Sequence, residues 1–194
     1  MRRTCLPGAQ APHLQAFLVH HAELRIDAMN STTPLSARIE PPELTTAQMV
    51  ALQMVTPTRD STVAALAGLL QDAGRLSDLP GFLADVHRHE HQLATGLPGG
   101  IGLAHARSDF VSAPSIAVGV MAYGQSLDFG ATDGPAHVVL LLATPASSYS
   151  EHLMMLAALA RSLAKDSFRE SLRRANDAGV IAGLVGSTID FSTL

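Results

Sequence analysis

Residues 94–108 read Ala-Thr-Gly-Leu-Pro-Gly-Gly-Ile-Gly-Leu-Ala-His-Ala-Arg-Ser. A glycine-rich turn runs into a short apolar strand, expected over residues 101–104, that ends on His105. Backbone without side chains lets N–H groups approach a ligand closely, and an imidazole held at a strand-to-loop edge can take up and release a phosphoryl group. A second imidazole, His152, falls in the first turn of a helix expected to begin near Ser150. Unsatisfied N–H groups and the helix dipole favour an anion there, and a neutral imidazole can donate a hydrogen bond to a phosphoryl oxygen. The two histidines point to a shared anion site. The plainer alternative for His105 is a hydrogen-bonded edge residue.

A different chemistry competes upstream. His87-Arg88-His89-Glu90-His91 matches H-x-x-E-H, in which histidines four apart on one helix face hold zinc and the glutamate acts as base. That reading makes the chain a zinc-dependent hydrolase. It needs a further ligand, for which Glu151 and Glu170 are the nominal candidates. Three histidines in five residues also produce the pattern by chance on a solvated helix face. The glycines carry no nucleotide signature: Gly100-x-Gly102 lacks the third glycine of a dinucleotide fingerprint, and no P-loop lysine follows. Tyr123 and Tyr149 read as structural, Met154 and Met155 as core, and Cys5 as incidental.

The elements that must position these groups are readable from Leu44 onward. Asp60 and Ser61 can cap a helix with Val63, Leu66, Leu70 and Ala73 at helical spacing, closed by Gly74. Pro80 starts a second helix with Phe82, Leu83 and Val86 on its apolar side. Residues 115–122 and 138–143 are apolar on both faces, so both read as interior strands, joined by a turn-rich stretch over 128–135. Ser148 or Ser150 caps a helix whose buried stripe is expected to be Leu153, Leu156, Ala157, Ala160, Leu163 and Ala164. Asp166 opens another helix through Arg174, and a last short helix covers residues 177–184. Alternating helices and strands predict a single α/β domain, its sheet covered by helices, over residues 41–194. Residues 1–40 are proline-dotted and aperiodic, and read as a poorly ordered extension.

Composition narrows the function classes. The chain has 194 residues, 47% hydrophobic and 15% charged, with a formal net charge of −4. No basic face is visible and aromatics make up only 4%, which argues against a nucleic-acid partner. The lone Cys5 excludes an internal disulfide and fits a reducing compartment. No apolar run is long enough to insert in a membrane, and the segment after Arg2-Arg3 lacks the apolar block of a signal peptide. The expected location is the cytoplasm.

Three motifs in order resemble a known family. Residues 95–107, Asp128-Phe129-Gly130-Ala131 with Asp133-Gly134, and Glu151-His152-Leu153 opening a helix are similar to the fructose/mannitol-type enzyme IIA domains of the bacterial phosphoenolpyruvate-dependent sugar phosphotransferase system. The resemblance covers roughly residues 44–184. It implies a mixed β-sheet flanked by helices. It also implies that His105 accepts a phosphoryl group from the phosphohistidine of HPr and passes it to a sugar-specific enzyme IIB, with His152 as the supporting imidazole and no metal or cofactor at the site. The loop leans toward the fructose class. Two positions depart from the family pattern. Ala104 stands where a proline usually precedes the phosphorylated histidine. Sixteen residues before His105, His89 stands where the family has arginine, with Arg88 one place early and Glu90 following. Arg88 or His89 is therefore the expected further contact to the phosphoryl group. The altered arginine position keeps open a regulatory relative, one that acts on protein partners through its phosphorylation state.

Overall fold

The computed structural model describes residues 43–90 and 95–189. The extension over residues 1–40, Cys5 and His91 lie outside the described residues. Five strands form one mixed sheet: β1 (Val50–Met54), β2 (Gly96–Leu97), β3 (Ile101–Ser108), β4 (Ser115–Met121) and β5 (Val138–Pro145). The order is β1-β4-β5-β3-β2. β1 is parallel to β4 and β3 is parallel to β5, while β4 runs antiparallel to β5 and β2 antiparallel to β3. Five α-helices cover the sheet: α1 (Arg59–Asp72), α2 (Leu79–Glu90), α3 (Tyr149–Leu163), α4 (Asp166–Arg174) and α5 (Ala178–Gly186). The expected α/β class, with a mixed sheet flanked by helices, is the one observed.

Side chains alternate across a strand, and this period of two sorts the core into two layers. On one face, Ala104 and Ala106 of β3 and Val139, Leu141 and Ala143 of β5 pack under Val63, Leu66 and Leu70 of α1 and Phe82 and Val86 of α2. On the other, Ile101 and Leu103 of β3 and Val138, Leu140 and Leu142 of β5 pack under Met155, Leu159 and Leu163 of α3 and the helices that follow. The central strand β5 is buried from Val138 to Thr144. Replacing Leu141 by alanine should therefore open a cavity that the sheet cannot close. The expected loss is about 2–5 kcal/mol of unfolding free energy, read from the denaturant midpoint at unchanged m-value.

Helix ends follow the sequence with small displacements. Thr58, not Asp60 or Ser61, is the N-cap of α1; its side chain accepts from the Ser61 N–H, and Ser61 reciprocates on the Thr58 N–H. Gly74 follows the C-terminus of α1 at φ +71°, as expected for a left-handed closing residue. Asp177 caps α5 through the Val180 N–H.

Three expectations fail. First, β3 does not stop at Ala104; its ladder with β5 runs from Ile101↔Val138 to Ser108↔Pro145. The polar residues at its end misled the strand boundary, because they are polar on one face only. Second, the buried stripe of α3 is His152, Met155, Leu159 and Leu163 with Ala158, while Leu153 and Met154 are exposed. This helix is apolar nearly all round, so periodicity could not fix its rotation; the burial of His152 does. Third, the sequence reading picked out no strand before α1, yet β1 pairs with β4 through Val50↔Val118.

Candidate functional site

The glycine-rich loop is a hairpin turn. Pro98, Gly99 and Gly100 form the turn of the β2–β3 hairpin, closed by the pair Leu97↔Ile101, with Gly99 and Gly100 at φ +84° and +78°. The Gly99 N–H donates to Asp133 Oδ2 at 2.6 Å. His105 lies four residues beyond Ile101, about 13 Å further along the strand. The loop therefore builds the strand that carries His105, and its N–H groups lie at the far end from the imidazole. Gly102 is needed for a different reason: a Cβ there would meet the Phe129 ring at 2.8 Å.

His105 sits within β3 rather than at its edge with a loop. It continues the phase of Ile101 and Leu103, as does Arg107, so both polar residues extend the face covered by α3. β5 contributes Thr144 in the phase of Leu140 and Leu142, directly paired with Arg107. The apolar layer of that face thus ends in His105, Arg107 and Thr144, and the first turn of α3 lays His152 over them. The His105 and His152 ring centroids are 5.5 Å apart. Thr144 Oγ1 and His152 Nδ1 are 2.8 Å apart. The His152 N–H itself donates to the Ser148 carbonyl.

His89 enters from the other side. Among the described residues β2 pairs with Ile101 and Gly102, and no strand lies beside β3 on that side beyond Gly102. The last turn of α2 places the His89 ring centroid 6.2 Å from that of His105. The position sixteen before His105 thus does face the histidine. Arg88 does not: its Nη1 is bound to Asp85 Oδ1 at 2.7 Å and its side chain is 69% exposed. Of the two alternatives for that contact, the structure brings His89 to the cluster and turns Arg88 away by the rotation of one helical position.

Two participants were not singled out as site residues from the sequence. Arg107 lies with its guanidinium 4.7 Å from the Tyr149 ring centroid and donates to the Ala146 carbonyl at 3.4 Å. Thr144 is fully buried under His152. Each stands in correct strand phase with the apolar residues before it, which is the signal that could have found them.

The electrostatics of the cluster set one protonation state. Burial, then the neighbouring His105, Arg107 and His89, lower the His152 pKa from 6.5 to about 4. His152 is therefore neutral at physiological pH. The sign follows from proton counting. Between pH 6.5 and about 4 the unfolded chain binds a proton at this residue that the folded protein refuses, so stability falls as pH falls through that window. Above pH 6.5 the residue imposes no penalty. The full effect is on the order of 3 kcal/mol. Urea unfolding at pH 7.5 and pH 4.5 should show this loss in the wild type and a smaller one in His152→Gln.

Among the described residues no helix is long and apolar enough to cross a membrane. Glu151, His152 and Leu153 open α3 as the resemblance implies, and Phe129 of the Asp128–Ala131 motif packs in the core against Gly102.

At one end of the sheet a buried neutral imidazole stands beside a second imidazole and an arginine, the class of site whose groups are able to hold a phosphoryl group. Comparison with known proteins gives the class a family. The family model described as phosphoenolpyruvate-dependent sugar phosphotransferase system, EIIA 2, matches residues 43–185. The fructose-specific EIIA component of the phosphotransferase system of Haloferax volcanii is 31% identical over 148 residues, covering 76% of this chain and 95% of that protein. In fold, the nitrogen regulatory protein IIA-Ntr of Neisseria meningitidis superposes with a TM-score of 0.67 at 24% identity, covering 74% of this chain and 97% of that one. The Escherichia coli mannitol enzyme IIA, solved in complex with its phosphorylated enzyme IIB, superposes with a TM-score of 0.61 at 16% identity, covering 73% and 96%. The chain belongs to the EIIA 2 family of the phosphoenolpyruvate-dependent sugar phosphotransferase system, of the fructose/mannitol type.

Proposed function

We propose that this protein is a phosphohistidine carrier that accepts a phosphoryl group from phospho-HPr on His105 and passes it to a sugar-specific enzyme IIB of the fructose class. The observation that carries this reading is the row of three imidazoles with His105 in the middle, 6.2 Å from His89 and 5.5 Å from His152. Nδ1 of His105 is buried. Nε2 is then the nitrogen that meets the donor: its bond to phosphorus forms as the phosphorus–nitrogen bond of the donor phosphohistidine breaks in line. Such a transfer needs positioning and donors for the equatorial oxygens, and little else.

His152 supplies one of those donors. Thr144 Oγ1 lies 2.8 Å from Nδ1; in the tautomer in which the hydroxyl donates to Nδ1, the ring proton sits on Nε2 and can be given to a phosphoryl oxygen. The depressed pKa supports this role, since a neutral ring adds no proton competition at the site. Arg107, braced on Tyr149, provides the positive charge that neutralises the transferring group. His89 provides a contact on the opposite side. Tyr149, Leu153 and Met154 are exposed on the helix that carries His152, which suits an apolar rim for protein partners.

The experiment is transfer onward. Protein phosphorylated with phosphoenolpyruvate, enzyme I and HPr is mixed with a fructose-class enzyme IIB, and loss of the group from this chain is matched to its gain on the partner. Stoichiometric passage is expected. A second reading is favoured by His89 in the arginine position: a regulatory relative whose phosphorylation state is read by a partner protein. Retention of the group in the presence of every enzyme IIB offered selects that reading instead.

A further inference from the structure

The end of the sheet opposite His105 carries a depression of about 650 Å³ with its own chemistry. His137 lies on its wall, just before β5 begins, and His105 pairs with Leu142 five residues later, so the two are separated by about 16 Å of strand. The last turn of α4 brings Arg173 and Arg174 to the rim. Glu170, one turn earlier, fixes both: Arg173 Nη2 donates to Oε2 at 2.8 Å, and Arg174 Nε pairs with Oε1. Their guanidinium groups hold the Glu170 carboxyl below its ordinary range. Each guanidinium has five N–H donors, so the ion pairs leave donors on both. Two guanidinium groups against one carboxylate also leave a net positive charge.

The remaining lining sets three groups suited to hydroxyls, on Gln53, His137 and Asn176, among the apolar Val120, Met121, Ala122 and Ala175. Gln53 and Asn176 offer amides that both donate and accept. His137 Nδ1 donates to the Gln125 carbonyl at 3.2 Å, which leaves Nε2 as an acceptor. Tyr123, fully exposed at the rim, presents a flat ring face. Gln53 is the one non-glycine residue at positive φ among the described residues, +53°, at an irregularity between Ala51 and Met54 of β1. Such backbone is held against its own preference by its surroundings, and it clusters where side chains are aimed at ligands.

We propose that this depression is a second ligand site, separate from the histidine cluster, that takes a small phosphate monoester bearing hydroxyls, of the sugar-phosphate class. Arg173 and Arg174 hold the phosphate through charge-assisted hydrogen bonds, and Gln53, Asn176 and His137 read the hydroxyls. The proposal stands apart from the carrier reading, because none of these residues belongs to the cluster around His105.

Calorimetric titration of the full chain with a hexose 6-phosphate, inorganic phosphate and the unphosphorylated hexose tests it. Saturable binding of the hexose phosphate is expected, with inorganic phosphate and the free hexose at least tenfold weaker. Arg173→Ala with Arg174→Ala should weaken the hexose phosphate at least tenfold at unchanged melting temperature, and Gln53→Gly severalfold, since glycine accepts the backbone but removes the amide. His105→Ala should bind as the wild type does. Absence of saturable binding, equal affinity for inorganic phosphate, full binding by the double arginine variant, or loss of binding in His105→Ala each overturns the proposal. If the double variant fails to fold, the Gln53→Gly titration and the phosphate comparison decide.

Discussion

His105→Ala should take up no phosphoryl group from phospho-HPr while remaining folded. The expected fall in the rate of transfer is at least about three orders of magnitude, the scale for removing a covalent nucleophile. The argument rests on place as much as on residue type. His105 is half-buried on β3, its Nδ1 turned inward, and it lies between two other imidazoles. Neither neighbour is equivalent. His152 is buried with Nδ1 at 2.8 Å from Thr144, and His89 sits at the end of a helix with Nδ1 facing the Asp85 carbonyl at 3.2 Å. Truncation to alanine leaves the small side chains of Ala104 and Ala106 on the opposite face untouched, so a folded but inactive protein is the expected product. Quantitative acceptance by His105→Ala would show that another residue is the carrier.

The second large effect belongs to His152→Ala. Here phosphorylation should still occur, but with a rate constant lower by about 10²–10³, the cost of removing one preorganised donor from a charged transition state. Rapid-quench kinetics with phospho-HPr in excess would separate this rate from affinity. His152 is fixed from below by Thr144 and through its helix by Met155, Leu159 and Leu163. Its donor is therefore aimed before the phosphoryl group arrives. Because the ring is already neutral above its lowered pKa, the rate penalty should be nearly constant between pH 6.5 and pH 8. A penalty that vanished over that range would mean that its charge, not its hydrogen bond, is what matters.

How much of this was visible in the residues differs between the fold and the site. The α/β class, the interior strands β4 and β5, and all five helices follow from apolar periodicity, caps and glycines. The β1 strand did not, since Val50–Met54 is short and Gln53 interrupts the extended backbone. Both histidines are expected at element ends, which holds for His152 in the first turn of α3 and fails for His105 inside β3; what joins them is strand phase. His105 shares a face with Leu103, Thr144 shares one with Leu142, and β3 lies parallel to β5 in a register that no local pattern discloses. The same register makes Arg107 and Thr144 neighbours. The glycine-rich loop taught the opposite lesson: its composition suggested an anion cradle, while its geometry is that of a hairpin turn. The choice between Arg88 and His89 rests on the rotation of α2, which a single helical position changes by about 100°.

The most direct test of the carrier reading is the location of the phosphoryl group on the wild-type protein. Incubation with phosphoenolpyruvate, enzyme I and HPr, kept alkaline to preserve phosphohistidine, is followed by intact mass and peptide mapping. The account predicts one added phosphoryl group, on the peptide that contains His105. No added mass on a folded protein, or a group mapped to His89 or His152, would contradict it.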